Sequence, residues 1–304
     1  MRRGIATVTM VVAALALPAT AGATSATATL TGVNGEGTFN NTLPCGVGDG
    51  PNWRYFWLDQ TATSPGGVLA GSWNGSFEVH DAGAGKAFVP NNDGRLSITL
   101  NRSGNPDRAG TGFFDTLGDG GCANANLALT TQIDGDPQVT GTLPLVALGG
   151  TGALRGLTGN GNATFTLELG AGADNQASIA LAGNFDVADP ALSIVGASSR
   201  WRNLTDWLGG WLTTYITVAN AQGAGDAFDV RLTGVSGGTG VFSGLPSVPL
   251  SIPNGRIATF SFTMKNAHPN TSYTLTGTAA GKDGLLAPIP AISGSASFKS
   301  PLLP

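Results

Sequence analysis

Leu148-Gly149-Gly150-Thr151-Gly152-Ala153-Leu154-Arg155-Gly156-Leu157-Thr158-Gly159-Asn160-Gly161 runs directly into Asn162-Ala163-Thr164-Phe165-Thr166-Leu167-Glu168-Leu169. The first part is too rich in glycine for a helix or a regular strand. It reads as a tight crossover in which the chain turns with positive φ and packs closely against a neighbour. The second part reads as a long strand. A phosphate-binding loop would need a Lys-Ser/Thr pair leading into a helix, and neither follows. Residues 148–169 therefore predict β architecture.

Outward from that stretch the same grammar repeats. Strand-like segments are expected at Ala28–Val33, Trp53–Asp59, Leu69–His80, Arg95–Asn101, Gly112–Asp115, Asn126–Ile133, Val139–Val146 and Ser178–Val187. The breaks carry turn chemistry, as in Pro65-Gly66-Gly67, Asn91-Asn92-Asp93-Gly94 and Asp134-Gly135-Asp136-Pro137. That number of strands suits a small closed antiparallel barrel or a barrel-like sandwich over residues 24–190. A segment of small residues, 191–199, reads as a linker. Residues 200–304 hold a second run of strands, including Trp211–Asn220, Phe228–Thr233, Arg256–Met264, Ser272–Thr278 and Ala291–Phe298, the pattern of a β-sandwich. The fold class is all-β.

The Gly149-Gly150-Thr151-Gly152 segment and the strand after it resemble the crossover of dirigent and allene oxide cyclase-like barrels. That resemblance covers about twenty residues and implies an antiparallel barrel. Members of that group steer or cyclise small oxylipins and phenolics, but no catalytic motif of theirs maps onto this chain. Tyr215-Ile216-Thr217-Val218-Ala219-Asn220, Phe228-Asp229-Val230 and Pro253-Asn254-Gly255 resemble bacterial Ig-like accessory modules. That likeness, over residues 208–300, implies a spacer or adhesive role without catalytic residues.

Composition narrows the function. Charged residues are 11% of the chain, and 47 of 304 residues are Gly; ordinary soluble domains hold roughly 25% charged residues. A net charge of −4 with no basic cluster gives nucleic acid nothing to bind. Arg2 and Arg3, the apolar run Val8–Leu17 and the Ala21-Gly22-Ala23 stretch form a basic n-region, a short h-region and a cleavage site. Residues 1–23 therefore read as a signal peptide, and the protein as secreted or held in the cell envelope. No later segment reaches spanning length, so no membrane span is expected after cleavage. In an oxidising compartment an isolated pair, Cys45 and Cys122, is expected to form a disulfide.

Residues of types suited to chemistry are few. Trp53, Tyr55 and Trp57 alternate along one strand, so period two sets three large rings on one face. They are a core or a platform for a sugar ring or flat ligand. Trp207, Trp211 and Tyr215 repeat the pattern, with Leu208, Leu212, Ile216 and Val218 expected on the alternate, buried face. Those rings either pack on the first domain, with Trp201 at the same junction, or form an exposed binding strip. Glu78 and His80 share a strand face in reach of acid/base chemistry, although a histidine at a strand end normally faces solvent. Gly234-Val235-Ser236-Gly237-Gly238 matches the nucleophile-elbow pattern, but a Gly-Thr-Gly turn stands where the helix should follow. Two histidines are too few for a His-rich zinc site, and the Asp115/Asp119 and Asp134/Asp136 loops lack a dedicated calcium spacing.

The reading is an exported, non-catalytic bacterial envelope or extracellular protein, with no cofactor and no metal. Its barrel is ligand-binding or structural, the partner being a carbohydrate or hydrophobic small molecule, and its sandwich is an Ig-like spacer. The alternative is a cyclase or isomerase-like enzyme working on a hydrophobic molecule inside the barrel, with Glu78, His80 or Arg95 as its polar groups. The state of the interior discriminates them: an empty apolar cavity favours the enzyme, a filled one the binding protein.

Overall fold

The computed structural model describes residues 24–33, 38–40, 52–89, 94–100, 109–117, 124–131, 137–168 and 176–303. The expected signal segment 1–23, Cys45 and Cys122, and Asp119, Asp134 and Asp136 lie outside them, as do the side chains of Trp53, Tyr55 and Arg95.

Eleven strands make the first half: β1 Thr24–Val33, β2 Thr38–Asn40, β3 Asn52–Thr63, β4 Gly71–Gly83, β5 Lys86–Phe88, β6 Gly94–Leu100, β7 Gly110–Thr116, β8 Leu127–Thr131, β9 Pro137–Gly152, β10 Thr158–Glu168 and β11 Gln176–Asp186. The neighbours run β3-β1-β11-β10-β9-β7-β6-β4, and β4 pairs back onto β3, so the sheet closes. Every pairing is antiparallel. The short strands extend the ring. β4 borders β6 along Gly71–Phe77 and β5 along His80–Gly83, and β9 borders β7 and β8 in the same way. Eight strands therefore surround the axis at the β6–β7 end, and closure removes the unpaired edges that an open sheet would offer there.

Alternation sorts the wall. On β11, Ala177, Ile179 and Leu181 are buried, while Ser178, Ala180 and Ala182 are exposed. β10 does the same with Ala163, Phe165 and Leu167 inside and Asn162, Thr164 and Thr166 outside. The glycine-rich crossover behaves as its sequence requires. Gly152 has φ +56, and a Cβ there would run into the carbonyl oxygen of Ala109. Gly150 carries no positive φ, but a Cβ on it would strike the carbonyl oxygen of Leu154. Residues 153–156 turn, and Leu154 and Leu157 drop back into the barrel core.

The second half contains β12 Leu192–Arg200, the short helix α1 Leu204–Leu208, β13 Leu212–Asn220, β14 Ala227–Gly237, β15 Phe242–Ser243, β16 Leu250–Ile252, β17 Ile257–Met264, β18 Ser272–Lys282 and β19 Pro288–Lys299. They form two four-stranded antiparallel sheets, β12-β13-β17-β15 and β16-β14-β18-β19, over a core that includes Ile216, Val218, Leu232, Phe260, Met264 and Leu275. The segment 191–199, read as a linker, is mostly strand: β12 pairs with β13 across a bulge between Ile194 and Gly196. Its small residues hid it, because Gly196, Ala197 and Ser198 give little apolar alternation.

The two halves share buried surface. Phe228 and Leu285 belong to the second half by sequence, yet their side chains are part of the barrel core cluster. Asp283 orders the loop at Leu285. Its Oδ1 accepts hydrogen bonds from the backbone N–H of Leu285 (2.9 Å) and Ala287 (2.8 Å), which tightens the loop that presents Leu285. No helix among the described residues is long and apolar enough to cross a membrane.

Candidate functional site

Aromatic side chains occupy the barrel interior. Trp57 and Trp73 lie 5.5 Å apart between ring centroids, Trp57 meets Phe77 edge-on at 5.7 Å, and Phe77 meets Phe165 at 5.7 Å. Phe114 and Phe185 form a second edge-on pair at 5.4 Å. All six are fully buried, within aliphatic side chains from β1, β9, β10 and β11. Such spacings are those of a packed core rather than of a ligand chamber. Trp57 is 1% exposed, so its ring cannot serve as a stacking platform, and the reading of Trp57 as a ligand residue is corrected. Its exposed strand neighbours are Phe56 and Leu58.

Among the described residues a concavity lies on the outer wall. A groove of about 560 Å³ opens across β1, β11, β10 and β9. Register builds it: Ser25, Asn184, Asn160 and Val146 form one cross-strand row, and Thr27, Ala182, Asn162 and Pro144 the next. Between the rows, Gly161 faces Gly183, so backbone lines the floor. Leu117 closes one side, held by its N–H donating to the Pro144 carbonyl at 2.8 Å. No lining residue is charged. Three carboxamides and two hydroxyls supply donors and acceptors together, which suits a neutral, hydroxyl-bearing ligand. A single chain gave no sign of this site. Ser25, Asn160 and Asn184 are far apart in sequence, and only the strand register brings them into one row.

Glu78 and His80 do meet. His80 Nε2 lies 2.7 Å from Glu78 Oε1, and its ring packs on Phe88 at 5.1 Å. The expectation of a solvent-facing histidine fails: His80 is 8% exposed. The cause is β5, which folds back on β4 and sets Phe88 directly opposite His80. This pair sits on the alternate face from Phe77 and Val79, which point into the barrel core.

The aromatic residues of the second half divide. Trp207 lies in α1 and is half-buried against the sandwich core, Trp211 is exposed, and Tyr215 lies under the guanidinium of Arg200 at 5.7 Å. Leu212, Ile216 and Val218 are buried as the alternation predicts, whereas Leu208 is exposed, because helix α1 breaks the strand period before Leu212. Trp201 is buried in the sandwich core, its Nε1 donating to the Pro301 carbonyl at 2.9 Å. None of these is at the barrel junction: residues 220–226 at the far end of β13 approach Ala188 and Asp189, about 26 Å along the strand from Leu212 at ~3.3 Å per residue.

Ser236 lies near the end of β14 and is followed by a turn, not a helix. His268 and Asp283 lie at opposite ends of β18, so no hydrolytic triad assembles. No group of three or more His, Cys, Asp or Glu side chains among the described residues is arranged to hold a metal ion. No protein-family model matches the chain, and comparison with curated proteins finds no match.

Proposed function

We propose that this is an exported, non-catalytic binding protein of the bacterial envelope or extracellular space, whose barrel holds a neutral, hydroxyl-rich ligand such as a carbohydrate on its outer wall. The observation that carries this reading is the aromatic filling at Trp57, Trp73, Phe77 and Phe165, which leaves a small molecule no place among them. A cyclase-like enzyme needs an enclosed apolar chamber with polar groups aimed into it, and Glu78 and His80 lie on the opposite face of β4 from that core. The likeness of the glycine crossover to dirigent-type barrels supports a barrel scaffold, and the Ig-like resemblance of the second half supports a spacer role.

Affinity electrophoresis in gels containing neutral polysaccharides tests the reading. A retarded band is expected with at least one of them, and Asn160→Ala with Asn184→Ala should abolish the retardation at unchanged melting temperature. Retardation that survives the double substitution would place the ligand elsewhere. Absence of retardation on all neutral polymers, with turnover or uptake of an apolar small molecule, would favour the enzyme.

A further inference from the structure

We propose that the end of the sandwich distal to the barrel is a docking surface for an anionic lipid bilayer. Its charge is the first reason. Residues 1–189 carry eight Lys and Arg against fifteen Asp and Glu, while residues 190–304 carry seven against four. Within the second half the acids are concentrated at one end, where Arg256 and Lys282 also lie. Asp226, Asp229 and Asp283 belong to the barrel-side ends of the strands, and the distal end holds Arg200, Arg202, Lys265 and Lys299. Its single acid, Asp206, is buried and engaged by Arg202 Nε at 2.9 Å. An anionic surface approaching this end meets cations and no exposed carboxylate among the described residues.

Apolar side chains project through that basic collar. Leu204, Leu208, Leu302 and Leu303 are 60 to 72% exposed, and Trp211 is 47% exposed. This exposure is built rather than frayed. The indole N–H of Trp201 donates to the Pro301 carbonyl at 2.9 Å, and that of Trp207 donates to the Leu302 carbonyl at 3.1 Å. Ala267 N–H donates to the Gly210 carbonyl at 3.0 Å, and Lys265 N–H to the Val241 carbonyl at 2.9 Å. Two buried or half-buried tryptophans thus hold a Leu-Leu pair outward beside α1. Leucines with a tryptophan at their margin and basic residues around them match the chemistry of a bilayer interface, where acyl chains, carbonyl region and phosphates follow in depth.

The test is flotation of the chain from residue 24 onward with vesicles of phosphatidylglycerol and phosphatidylcholine, against pure phosphatidylcholine. Binding to the anionic vesicles is expected, weakened by salt and accompanied by a blue shift of tryptophan emission. Leu208→Asp and Leu303→Asp should each reduce partitioning about tenfold or more, and Arg200→Glu by roughly fivefold or more. Arg256→Glu makes the same change in net charge near the barrel and should leave partitioning unaltered. All four positions are exposed, and equal denaturation midpoints would verify folding. The proposal is overturned if the protein does not float, if Arg256→Glu and Arg200→Glu act equally, or if both leucine variants bind like the parent. A concentration-dependent dimer abolished by Leu208→Asp, without vesicle binding, would make the surface a contact between two copies instead.

Discussion

Trp57 shows how a single residue separates two accounts of the molecule. Alternation in the sequence placed it on a face with Trp53 and Tyr55 but could not tell inside from outside, because large amphipathic rings serve both. The barrel closes around it, and Trp57→Ala should cost about 3–5 kcal/mol in a denaturant titration, the price of an emptied core site; a loss below about 0.5 kcal/mol, typical of a surface residue, would remove it from the core. The sequence around Asp283 carries no sign of its part in the shared core. Burial beside the barrel raises its pKa above the ordinary carboxylate value, partly offset by the N–H donors of Ala287 and Leu285, with Asp186 and Asp189 adding to the rise. A raised folded-state pKa means that the folded chain holds this proton more tightly than the unfolded one. The contribution to stability is therefore fully present below the unfolded value and is lost as pH rises through the folded one. Asp283→Asn keeps an oxygen for Leu285 and Ala287 while removing the charge. It should match or exceed the parent in melting temperature at neutral pH and flatten the dependence on pH across the acid range; a destabilised variant with an unchanged pH profile would contradict this. Export, as proposed, would put Cys45 and Cys122 in an oxidising compartment, where a disulfide is expected, seen as a mass gain of two hydrogens on reduction and as no alkylation beforehand.

At the scale of elements, the glycine crossover was the most legible part of the chain, because only backbone geometry explains so many glycines in so short a run. Gly152→Val would combine strain at positive φ with a collision against the Ala109 carbonyl. It should lose at least about 1–3 kcal/mol in the barrel transition, measured by urea unfolding. Gly149→Ala, also at positive φ but with open space around its missing Cβ, should lose less. Nine strand-like stretches in the first half correspond to β1, β3, β4 and β6 to β11. The short strands β2 and β5 escaped notice, since three residues carry no measurable period. β12 escaped because its small residues resemble a linker, and α1 because five residues cannot show a helical repeat. The groove was invisible for a different reason. Its polar residues are ordinary outward positions on separate strands, and register is a long-range property that one sequence does not state.

The whole molecule is two β units that share part of one core. Phe228 and Leu285 reach into the barrel from the second half, so cutting the chain near residue 190 should leave a barrel with a weakened end. Leu285→Ala should lower the barrel transition by about 2–5 kcal/mol, followed through tryptophan burial at Trp57 and Trp73. A loss confined to the sandwich would show that the shared core contributes nothing to the barrel. The proposed function rests on a closed barrel that is filled around Trp57, Trp73, Phe77 and Phe165, with the ligand held on the outer wall. Xenon enters empty apolar cavities and is seen directly by diffraction. A crystal of the chain pressurised with xenon should show no xenon among Trp57, Trp73, Phe77 and Phe165. An ordered xenon site enclosed by those rings would contradict the account and return the interior to the list of ligand sites.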